Sequence, residues 1–380
     1  MSEQAVYSRK NPFPAKLLVN RRLTGEGSNK DTRHYEVSLA GSGLEYVVGD
    51  SMGVFCQNDP ELVDEIIARL ALDPGEVVTS PAKRDLPLRQ ALLEDCIITQ
   101  PDKKFLKAVV EKAQAAPLLA ELLTPERKDD LAEYLWGLEV IDFLIEHQSV
   151  RFEAQEFVSL LRKLQPRLYS IASSLKAHPD EVHFTIATVE YESHGRKRKG
   201  VCSSWLAERV SDDPVPLFVH TAKGFRLPEN GETPIIMVGP GTGIAPFRAY
   251  LEERSATGAS GANWLFFGEQ HSDTDFFYRD EFEGYQRAGL LTHFHTAFSR
   301  DQDHKIYVQD RLRENAAEIW QWLERDGAHF FVCGDAARMA KDVDKALHDI
   351  VQQEGGKSPD EAAAYVEALK KDHRYKRDVY

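Results

Sequence analysis

Apolar and polar residues alternate along several early segments, a pattern that predicts strands buried on one face. In RHYEVSL (33–39), for example, Tyr35, Val37 and Leu39 fall on the same face. The other segments with strand character are EYVVGDSMGVFC (45–56), PRLYSIAS (166–173), EVHFTIATVEY (181–191) and PLFVHTA (216–222). Between the last two segments, GRKRKG (195–200) has the glycines and charges typical of a basic, solvated hairpin turn.

Helical periodicity dominates from about residue 60 to residue 165. NDPELVDEIIARLAL (58–72) predicts a helix in which Asp59 is the N-cap and Pro60 occupies the first turn. Three-to-four spacing continues through ALLEDCII, FLKAVVEKA, LLAELL, LAEYLWGLEVIDFLIE and FVSLLRKL. Because strands come before and after this block, the pattern predicts one β-domain with a helical insertion.

From about residue 232 the pattern changes to solidly apolar strands that alternate with helices. The strands are PIIMVG (234–239), NWLFFG (263–268), LTHFHTAF (291–298) and HFFVCG (329–334), and the helices lie near 243–254, 278–288, 308–325 and 337–353. This alternation indicates a parallel sheet covered on both faces. Ligands of such sheets bind at the carboxyl ends of the strands.

Length, charge and cysteine usage narrow the class of protein. A chain of 380 residues exceeds one ordinary core, so two or three domains are expected. The net charge of −14 makes nucleic acid an unexpected partner, and the four cysteines form no CxxC pair for zinc or iron–sulfur, so no metal is expected. The start, MSEQAVYSRK, has no apolar signal core, and no run reaches the ~18 apolar residues of a membrane span. We therefore expect a cytoplasmic protein with reduced thiols, not bound to a membrane.

Two segments of the C-terminal half suit phosphate. GPGTGIAPFRAYLEER (239–254) joins a strand to a helix through three glycines, which lets a pyrophosphate approach backbone N–H groups. SRDQDHKIYVQ (299–309) supplies Arg300 and Lys305, a pair that suits an adenosine 2′-phosphate. Taken alone, the first is also compatible with an ordinary strand–helix turn and the second with a solvated charged loop.

Three further motifs carry hydrogen-bond donors or a thiol. RLYSIASS (167–174) has an arginine, a tyrosine and three serines but no proton-transfer group or metal ligand, which suits a strand that holds a cofactor. Gly200 and Ser203 begin an apparent helix that could receive a phosphate. Cys333, in CGD, lies at the carboxyl end of a strand over the crevice, although a single buried cysteine is usually inert.

In combination these motifs resemble the ferredoxin–NADP reductase superfamily, in its diflavin reductase branch. RxYSxxS is present as Arg167, Tyr169, Ser170 and Ser173, and it is followed by GxxS, GPGTGIAPFR and CGD. RLYSIASS, NWLFFG, SRDQ, YVQD and the terminal RDVY are similar to the flavoprotein (alpha) subunits of NADPH-dependent assimilatory sulfite reductases. The resemblance runs from about residue 15 to Tyr380.

The resemblance implies an antiparallel β-barrel FAD domain with a helical insertion, followed by an α/β parallel-sheet NADP-binding domain. The corresponding boundaries are 1–60 and 146–228 for the FAD domain, 61–145 for the helical connecting insertion and 229–380 for the NADP domain. Members of this branch usually also carry an N-terminal flavodoxin-like FMN domain, whereas this sequence begins almost at the FAD domain. We therefore expect a stand-alone form or a truncation, and a monomer when the chain is by itself.

The resemblance also implies which residues bind FAD. Arg167 would pair with the pyrophosphate, Tyr169 would lie against the flavin, and Ser170 would sit by the flavin N5, which accepts hydride. Gly200 to Ser203 would cap the pyrophosphate. The full implied set is Thr99, Arg167, Leu168, Tyr169, Ser170, Thr185, Ile186, Ala187, Tyr191, Gly200, Val201, Cys202, Ser203 and Tyr380.

For NADPH, the resemblance implies contacts to the pyrophosphate from Gly241 and Thr242. The residues implied around the adenosine 2′-phosphate or elsewhere on NADPH are Ser299, Arg300, Lys305, Tyr307, Gln309 and Asp342. Cys333 and Asp378 would act with Ser170 as catalytic residues that align the nicotinamide. Tyr380 would stack on the isoalloxazine and would have to move before hydride transfer, which makes it a gate.

The predicted function is that of an NADPH-dependent FAD flavoprotein reductase, which passes hydride from NADPH to FAD and then single electrons to an acceptor protein. The implied acceptor is the haemoprotein of assimilatory sulfite reductase. A stand-alone NADPH:flavodoxin or ferredoxin reductase is the alternative acceptor assignment. A flavoprotein that docks on a partner without turning over NADPH is the alternative of another class.

Overall fold

The computed structural model describes residues 7–210 and 213–380, and these fall into two compact units. The larger unit contains residues 7–53, 168–188 and 213–380, and the helical unit contains residues 54–167 and 189–210. Residues 1–6, which begin the segment searched for a signal peptide, and residues 211–212 lie outside the described residues. The predicted domain boundaries divide the chain differently from these units and remain predictions.

The strands and helices are numbered here in chain order. The strands are β1 (Phe13–Ala15), β2 (Leu17–Arg22), β3 (Thr32–Ser38), β4 (Ser51–Val54), β5 (Val77–Thr79), β6 (Asp85–Pro87), β7 (Arg167–Ser170), β8 (Glu181–Ala187), β9 (Glu190–Ser193), β10 (Arg196–Lys199), β11 (Val215–His220), β12 (Ile235–Val238), β13 (Asn263–Glu269), β14 (His293–Phe298), β15 (His329–Gly334) and β16 (Tyr375–Val379). The α-helices are α1 (Pro60–Leu70), α2 (Leu88–Glu94), α3 (Lys103–Lys112), α4 (Pro117–Leu122), α5 (Lys128–Tyr134), α6 (Val140–Glu146), α7 (Ala154–Ser159), α8 (Val201–Ser204), α9 (Ala245–Thr257), α10 (Arg279–Arg287), α11 (Val308–Glu314), α12 (Ala316–Glu324), α13 (Met339–Gly355) and α14 (Pro359–Lys371). Short 3₁₀ turns cover Pro125–Arg127 and Gly241–Ile244, and a π-helical turn covers Trp205–Arg209.

The larger unit contains the parallel sheet that the sequence predicts. Its strand order is β14-β13-β12-β15-β16, and the neighbouring strands pair in parallel. Alternate side chains of β12 lie on opposite faces of the sheet. Ile236 and Val238 pack with residues of α11 to α13, whereas Ile235 and Met237 pack with residues of α9 and α10. Both faces are therefore covered, which explains why the inner strands β12, β13 and β15 are buried and largely apolar.

Antiparallel sheets make up the remainder of the larger unit. One has the order β2-β3-β8, with Tyr35 of β3 opposite Phe184 of β8, and the other has the order β1-β11-β4-β7. Both Tyr35 and Val37 are buried, as their alternation predicts. Antiparallel sheets followed by a parallel α/β sheet confirm the predicted fold class.

One predicted strand is shorter than expected. Of EYVVGDSMGVFC (45–56), only β4 is extended. The buried carboxylate of Asp50 accepts hydrogen bonds from the amides of Val47 and Ala222 at 2.9 and 2.8 Å, and Gly49 has a φ of +93°. These interactions fold the segment before β4 into a turn, so the alternation there does not give a strand.

Arg248 of α9 joins the helix to the β2-β3-β8 sheet within the larger unit. It donates to the Ala172 carbonyl at 2.6 Å, lies 3.3 Å from His183 Nδ1 and pairs with Glu252 at 2.8 Å. Burial, reinforced by the Arg248 charge, lowers the pKa of His183 from 6.5 to about 2 and that of His34 to about 3. Both imidazoles are therefore neutral at physiological pH.

The helical unit confirms the main elements predicted between residues 60 and 165. Helix α1 begins at Pro60, and the Asp59 side chain caps it by accepting from the amide of Glu61. The long run LAEYLWGLEVIDFLIE divides into α5 and α6 around Gly137, which has a φ of +74°. A hairpin of β5 and β6 also lies in this block and was not predicted, because Val77 and Val78 form only a very short strand.

The expectation of a solvated basic turn at 195–200 is wrong. Residues Arg196–Lys199 form β10, which pairs with β9, and Arg198 is only 1 % exposed. Its guanidinium pairs with Glu139 at 3.0 Å and Asp142 at 2.9 Å. Within this basic run, Arg198 is thus buried and forms ion pairs inside the helical unit.

The last 25 or so residues contain two elements that the sequence pattern did not predict, α14 and β16. Ser358 and Glu361 form a capping box at the start of α14. Strand β16 pairs with β15, so that Cys333 lies opposite Asp378. Within the described residues, no helix is both long enough and apolar enough to cross a membrane.

Candidate functional site

The turn after β12 leaves an open backbone face at the carboxyl end of the parallel sheet. Gly243 packs against β15 so closely that a β-carbon there would come 2.1 Å from the Cys333 carbonyl oxygen. Gly241 has a φ of +58°, and a β-carbon on it would meet only the Glu269 carboxylate, at 3.4 Å. Helix α9 follows without a side-chain cap. Left-handed backbone, free space and uncapped N–H groups fit a dinucleotide pyrophosphate.

Three residues predicted to be catalytic come together in the larger unit, although they are far apart in the sequence. Ser170 Oγ, at the end of β7, donates to Asp378 Oδ2 of β16 at 2.8 Å. Cys333 Sγ of β15 lies 4.0 Å from the same carboxylate oxygen. Burial raises the pKa of the Cys333 thiol, and the Asp378 charge raises it further. Cys333 is therefore a neutral thiol beside an aspartate at neutral pH.

Tyr380 follows β16 and is tied to the glycine turn. Its amide donates to the Gly334 carbonyl at 3.1 Å, and its carbonyl accepts from the Ala336 amide at 3.1 Å. The phenol oxygen lies 2.8 Å from Thr242 Oγ1, while the residue as a whole is 64 % exposed. An exposed aromatic ring held at both its backbone and its hydroxyl is suited to covering a flat ligand.

The residues predicted around the adenosine 2′-phosphate lie after β14. Ser299 donates from its amide to the Glu269 carbonyl at 2.9 Å, and Arg300 donates from its amide to Gln270 at 2.9 Å, so both residues are fixed beside the end of β13. The Arg300 and Lys305 side chains are exposed and pair with no acidic side chain among the described residues. Tyr307, at the N-cap of α11, is 43 % exposed, and Gln309 is half-buried in the same helix. Two unpaired cations next to hydroxyl and amide groups suit a phosphate.

The aspartate of CGD has a structural role. Asp335 accepts from the amides of Ala337, Arg338 and Met339 at 3.2, 2.8 and 3.1 Å, and these bonds lower its pKa. It therefore caps the start of α13. Asp342 lies exposed in the first turn of that helix, and its predicted contact with NADPH stays a prediction.

Some predicted FAD residues of the larger unit present their side chains to solvent, and others do not. Leu168 is 51 % exposed and Tyr169 is half-buried, with its ring 6.3 Å from that of Phe184. Thr185 and Ile186 are buried, and the Thr185 hydroxyl lies 2.7 Å from the Tyr278 hydroxyl. Among Thr185, Ile186 and Ala187, only Ala187 is partly exposed. The side chain of Ala187 can therefore contact a ligand, whereas that of Ile186 cannot.

The predicted FAD residues of the helical unit surround the start of α8. A β-carbon on Gly200 would come 2.6 Å from Ser203 Oγ, and that hydroxyl accepts from the Val189 amide at 3.1 Å. Thr99, Gly200 and Val201 line one cleft of about 360 Å³. Tyr191 is 42 % exposed, and its ring lies 5.9 Å from that of Trp136.

Positive charge also gathers at this end of the helical unit. A hydrogen bond with the buried Cys202 lowers the pKa of Cys56, and the cations Arg167 and Arg209 lower it further. Arg167 is exposed and pairs with no carboxylate among the described residues. A free guanidinium, a tight glycine and the amides of a helix start are the donors that an FAD pyrophosphate needs.

Sequence reasoning missed Glu269 and Lys30. Glu269 is the last residue of β13, directly after NWLFFG, and Lys30 lies between β2 and β3. Their side chains form a salt bridge of 2.7 Å. A charged residue at the carboxyl end of an apolar strand was the available signal for Glu269, whereas Lys30 gave none.

Comparisons with known proteins agree with this arrangement. The FAD binding domain family matches residues 5–205, and the oxidoreductase NAD-binding domain family matches residues 237–345. The chain is 48 % identical over 384 residues to the sulfite reductase [NADPH] flavoprotein alpha-component of Bacillus subtilis, covering 99 % of this chain and 62 % of that protein. It is 45 % and 46 % identical to the proteins of the same name from Mannheimia succiniciproducens and Zymomonas mobilis, in each case over 98 % of this chain.

The chain spans about 62 % of the length of such relatives. The family matches confirm the predicted order of an FAD-binding domain followed by a domain for a nicotinamide dinucleotide. The chain therefore belongs to the FAD binding domain family and continues into an oxidoreductase NAD-binding domain, the domain order of ferredoxin–NADP reductases.

Proposed function

We propose that this chain is an NADPH-dependent FAD flavoprotein reductase, which takes hydride from NADPH and delivers electrons singly to an acceptor protein. The observation that carries the proposal is the cluster of Ser170, Cys333 and Asp378 at the carboxyl end of the parallel sheet. Asp378 of the cluster lies in β16, Tyr380 directly follows that strand, and the Tyr380 hydroxyl bonds to Thr242 of the glycine turn. The larger unit thus presents the glycine turn, which we propose binds the dinucleotide, next to the Ser170–Cys333–Asp378 cluster and the ring of Tyr380.

The protein residues bind and align, and they do not carry the redox chemistry. When bound, FAD supplies that chemistry, since it accepts hydride as a pair of electrons and can release them one at a time. Ser170 offers its hydroxyl at the end of β7, and Asp378 fixes the orientation of that hydroxyl through the 2.8 Å hydrogen bond. With NADPH bound, the Asp378 carboxylate would supply a fixed negative charge that favours the oxidised, positively charged nicotinamide.

Tyr380 acts as a gate in this proposal. Its backbone stays in place through the hydrogen bonds to Gly334 and Ala336, so the movement needed is confined to its side chain. The Thr242 hydroxyl that holds the phenol belongs to the turn proposed to bind the NADPH pyrophosphate. A pyrophosphate that engages Thr242 takes away the partner of Tyr380, and dinucleotide binding thereby loosens the ring.

The acceptor that we propose is the haemoprotein component of an assimilatory sulfite reductase. Support comes from the curated relatives, which are named as sulfite reductase [NADPH] flavoprotein alpha-components. A flavodoxin-type or ferredoxin acceptor is the alternative. A docking flavoprotein without turnover is disfavoured because both the glycine turn and the unpaired cations Arg300 and Lys305 are present.

The proposed function is tested by NADPH oxidation with the purified FAD-loaded chain, sulfite and the haemoprotein component. The assay is run with and without an added flavodoxin-type carrier. We expect sulfide to form in step with NADPH oxidation. Turnover that requires the carrier would assign the carrier as the direct acceptor, and absence of NADPH oxidation with haemoprotein, carrier or ferredoxin would overturn the proposed function.

A further inference from the structure

Two of the four cysteines lie side by side in the helical unit, although they are far apart in the sequence. Cys56 follows β4, and Cys202 is the second residue of α8. The Cys202 thiol donates a hydrogen bond to the Cys56 sulfur, and both residues are buried. They come from the two different chain segments, 54–167 and 189–210, that make up this unit. A bond between the two sulfurs would therefore join both segments covalently.

Arg209 fixes the backbone on either side of this pair. It lies in the π-helical turn that directly follows α8, and its guanidinium donates to the carbonyls of Gln57 and Asn58 at 3.2 and 2.6 Å. Asn58 is itself anchored, since its side-chain amide donates to two backbone carbonyls of the unit at 2.7 Å. The residues that follow Cys56 and the turn that follows Cys202 are thus held together by bonds that do not involve sulfur.

The surroundings of the pair favour a negative charge on Cys56. The hydrogen bond from Cys202 lowers the pKa of Cys56, burial opposes this effect, and the charges of Arg167 and Arg209 lower the pKa further. The Nε atom of Arg209 is buried and has no hydrogen-bond partner among the described residues. Because the thiolate is the form of cysteine that reacts with oxidants, Cys56 is the sulfur of the pair that reacts first.

The other two cysteines have the opposite surroundings. Burial raises the pKa of Cys96 to about 12, and the charge of Asp95 adds to this effect. Burial also raises the pKa of Cys333. A buried, protonated thiol is inert toward oxidants, so the chain carries its own reference cysteines.

A small oxidant has a route to the pair. Arg209 and Val201, which directly precedes Cys202, both line the cleft of about 360 Å³ in the helical unit. The cleft therefore ends beside the pair. Hydrogen peroxide is little larger than water and fits such a cleft, whereas a protein oxidant does not.

We propose that Cys56 and Cys202 form a peroxide-sensitive dithiol, which hydrogen peroxide converts into a disulfide that joins the two segments of the helical unit. The Cys56 sulfur attacks one peroxide oxygen, the O–O bond breaks and one water leaves, which gives a sulfenic acid on Cys56. The Cys202 sulfur then attacks the Cys56 sulfur, the S–O bond breaks, and a second water leaves with the proton of the Cys202 thiol. The two thiols together lose two electrons and two protons, and one peroxide becomes two waters. The inference does not depend on the acceptor or on the dinucleotide.

The test is exposure of the full FAD-loaded chain to a small excess of hydrogen peroxide, followed by alkylation in denaturant and mass spectrometry of the peptides. We expect Cys96 and Cys333 to be alkylated, and Cys56 and Cys202 to appear as one linked peptide pair that lacks two hydrogen atoms. Dithiothreitol should restore both thiols. The midpoint of thermal unfolding should rise by a few degrees on oxidation and return on reduction, because a disulfide restricts the unfolded chain.

Serine variants assign the order of the two sulfurs. Cys202→Ser is expected to stop at the sulfenic acid of Cys56, which dimedone traps, and to gain no thermal stability from peroxide. Cys56→Ser is expected to give neither product. Cys96→Ser is the matched control and should form the disulfide as the unaltered chain does. Flavin absorbance and circular dichroism of each reduced variant check its folding.

The decisive result comes from the unaltered chain and does not depend on the folding of a variant. Full alkylation of Cys56 and Cys202 after peroxide would overturn the proposal, and so would oxidation of Cys96 to the same extent. A disulfide between two copies of the chain would overturn it as well. A linked peptide pair without any change in the unfolding midpoint would show that the bond does not fasten the two segments.

Discussion

At the residue scale, the position of Tyr380 is more constrained than a terminal residue requires. Two backbone hydrogen bonds fix it to the last residue of β15 and to the loop after that strand, and its phenol is held by Thr242. The residue is nevertheless 64 % exposed. A fixed backbone with an exposed ring is what a side-chain gate needs, since the ring can turn without unravelling β16.

We predict that Tyr380→Ala retains near-normal FAD content but gains activity with NADH relative to NADPH. The reason is that the ring no longer competes with the nicotinamide, so a dinucleotide without the 2′-phosphate needs less binding energy to enter. Steady-state rates with both dinucleotides measure the change. Thr242→Val, which keeps the ring but removes its hydroxyl partner, should give a smaller shift in the same direction, and an unaltered NADH rate in Tyr380→Ala would count against the gate.

At the element scale, strand β10 shows how misleading a charge run can be. Of its four basic residues, Arg198 is buried between Glu139 and Asp142, while the neighbouring Lys197 side chain is 76 % exposed. The period-two alternation of a strand places these neighbours on opposite faces. Burial, opposed by the Arg198 charge, raises the pKa of Glu139, so this carboxyl depends on the arginine to stay ionised.

We predict that Arg198→Met destabilises the protein by roughly 3–5 kcal/mol, because it leaves two acidic groups without their buried cation. Lys197→Met on the exposed face should change the free energy of unfolding by less than about 0.5 kcal/mol. Urea unfolding followed by circular dichroism measures both variants. Equal stability of the two would show that the ion pairs around Arg198 do not stabilise the helical unit.

Elements whose signals are local could be predicted from the sequence, and those fixed by distant partners could not. Helix α1 and its Asp59 cap depend on neighbouring residues, and so do the apolar strands of the parallel sheet. Strand β16 contains KRD between Tyr375 and Val379, a polar segment that becomes a strand only because β15 pairs with it. The burial of Arg198 likewise depends on acids about 60 residues earlier in the chain.

At the scale of the whole molecule, the central cluster is assembled from three distant segments. Ser170 and Asp378 are 208 residues apart, yet their side chains are 2.8 Å apart. The resemblance to ferredoxin–NADP reductases named these residues, but only the fold shows that they touch. The salt bridge between Glu269 and Lys30 could not be predicted either, because it joins residues that are 239 positions apart in the sequence.

The central claim is that NADPH reduces the bound flavin at the Ser170–Asp378 cluster, and anaerobic rapid mixing tests it most directly. We predict that NADPH bleaches the flavin absorbance of the FAD-loaded chain much faster than NADH does. Asp378→Asn should slow this bleaching roughly tenfold or more, equivalent to about 1.4 kcal/mol of barrier, with NADP⁺ affinity retained. Asp372→Asn, in an exposed position after α14, is the control. Flavin that NADPH leaves oxidised, or a rate in Asp378→Asn equal to that of the unaltered chain, would contradict the account.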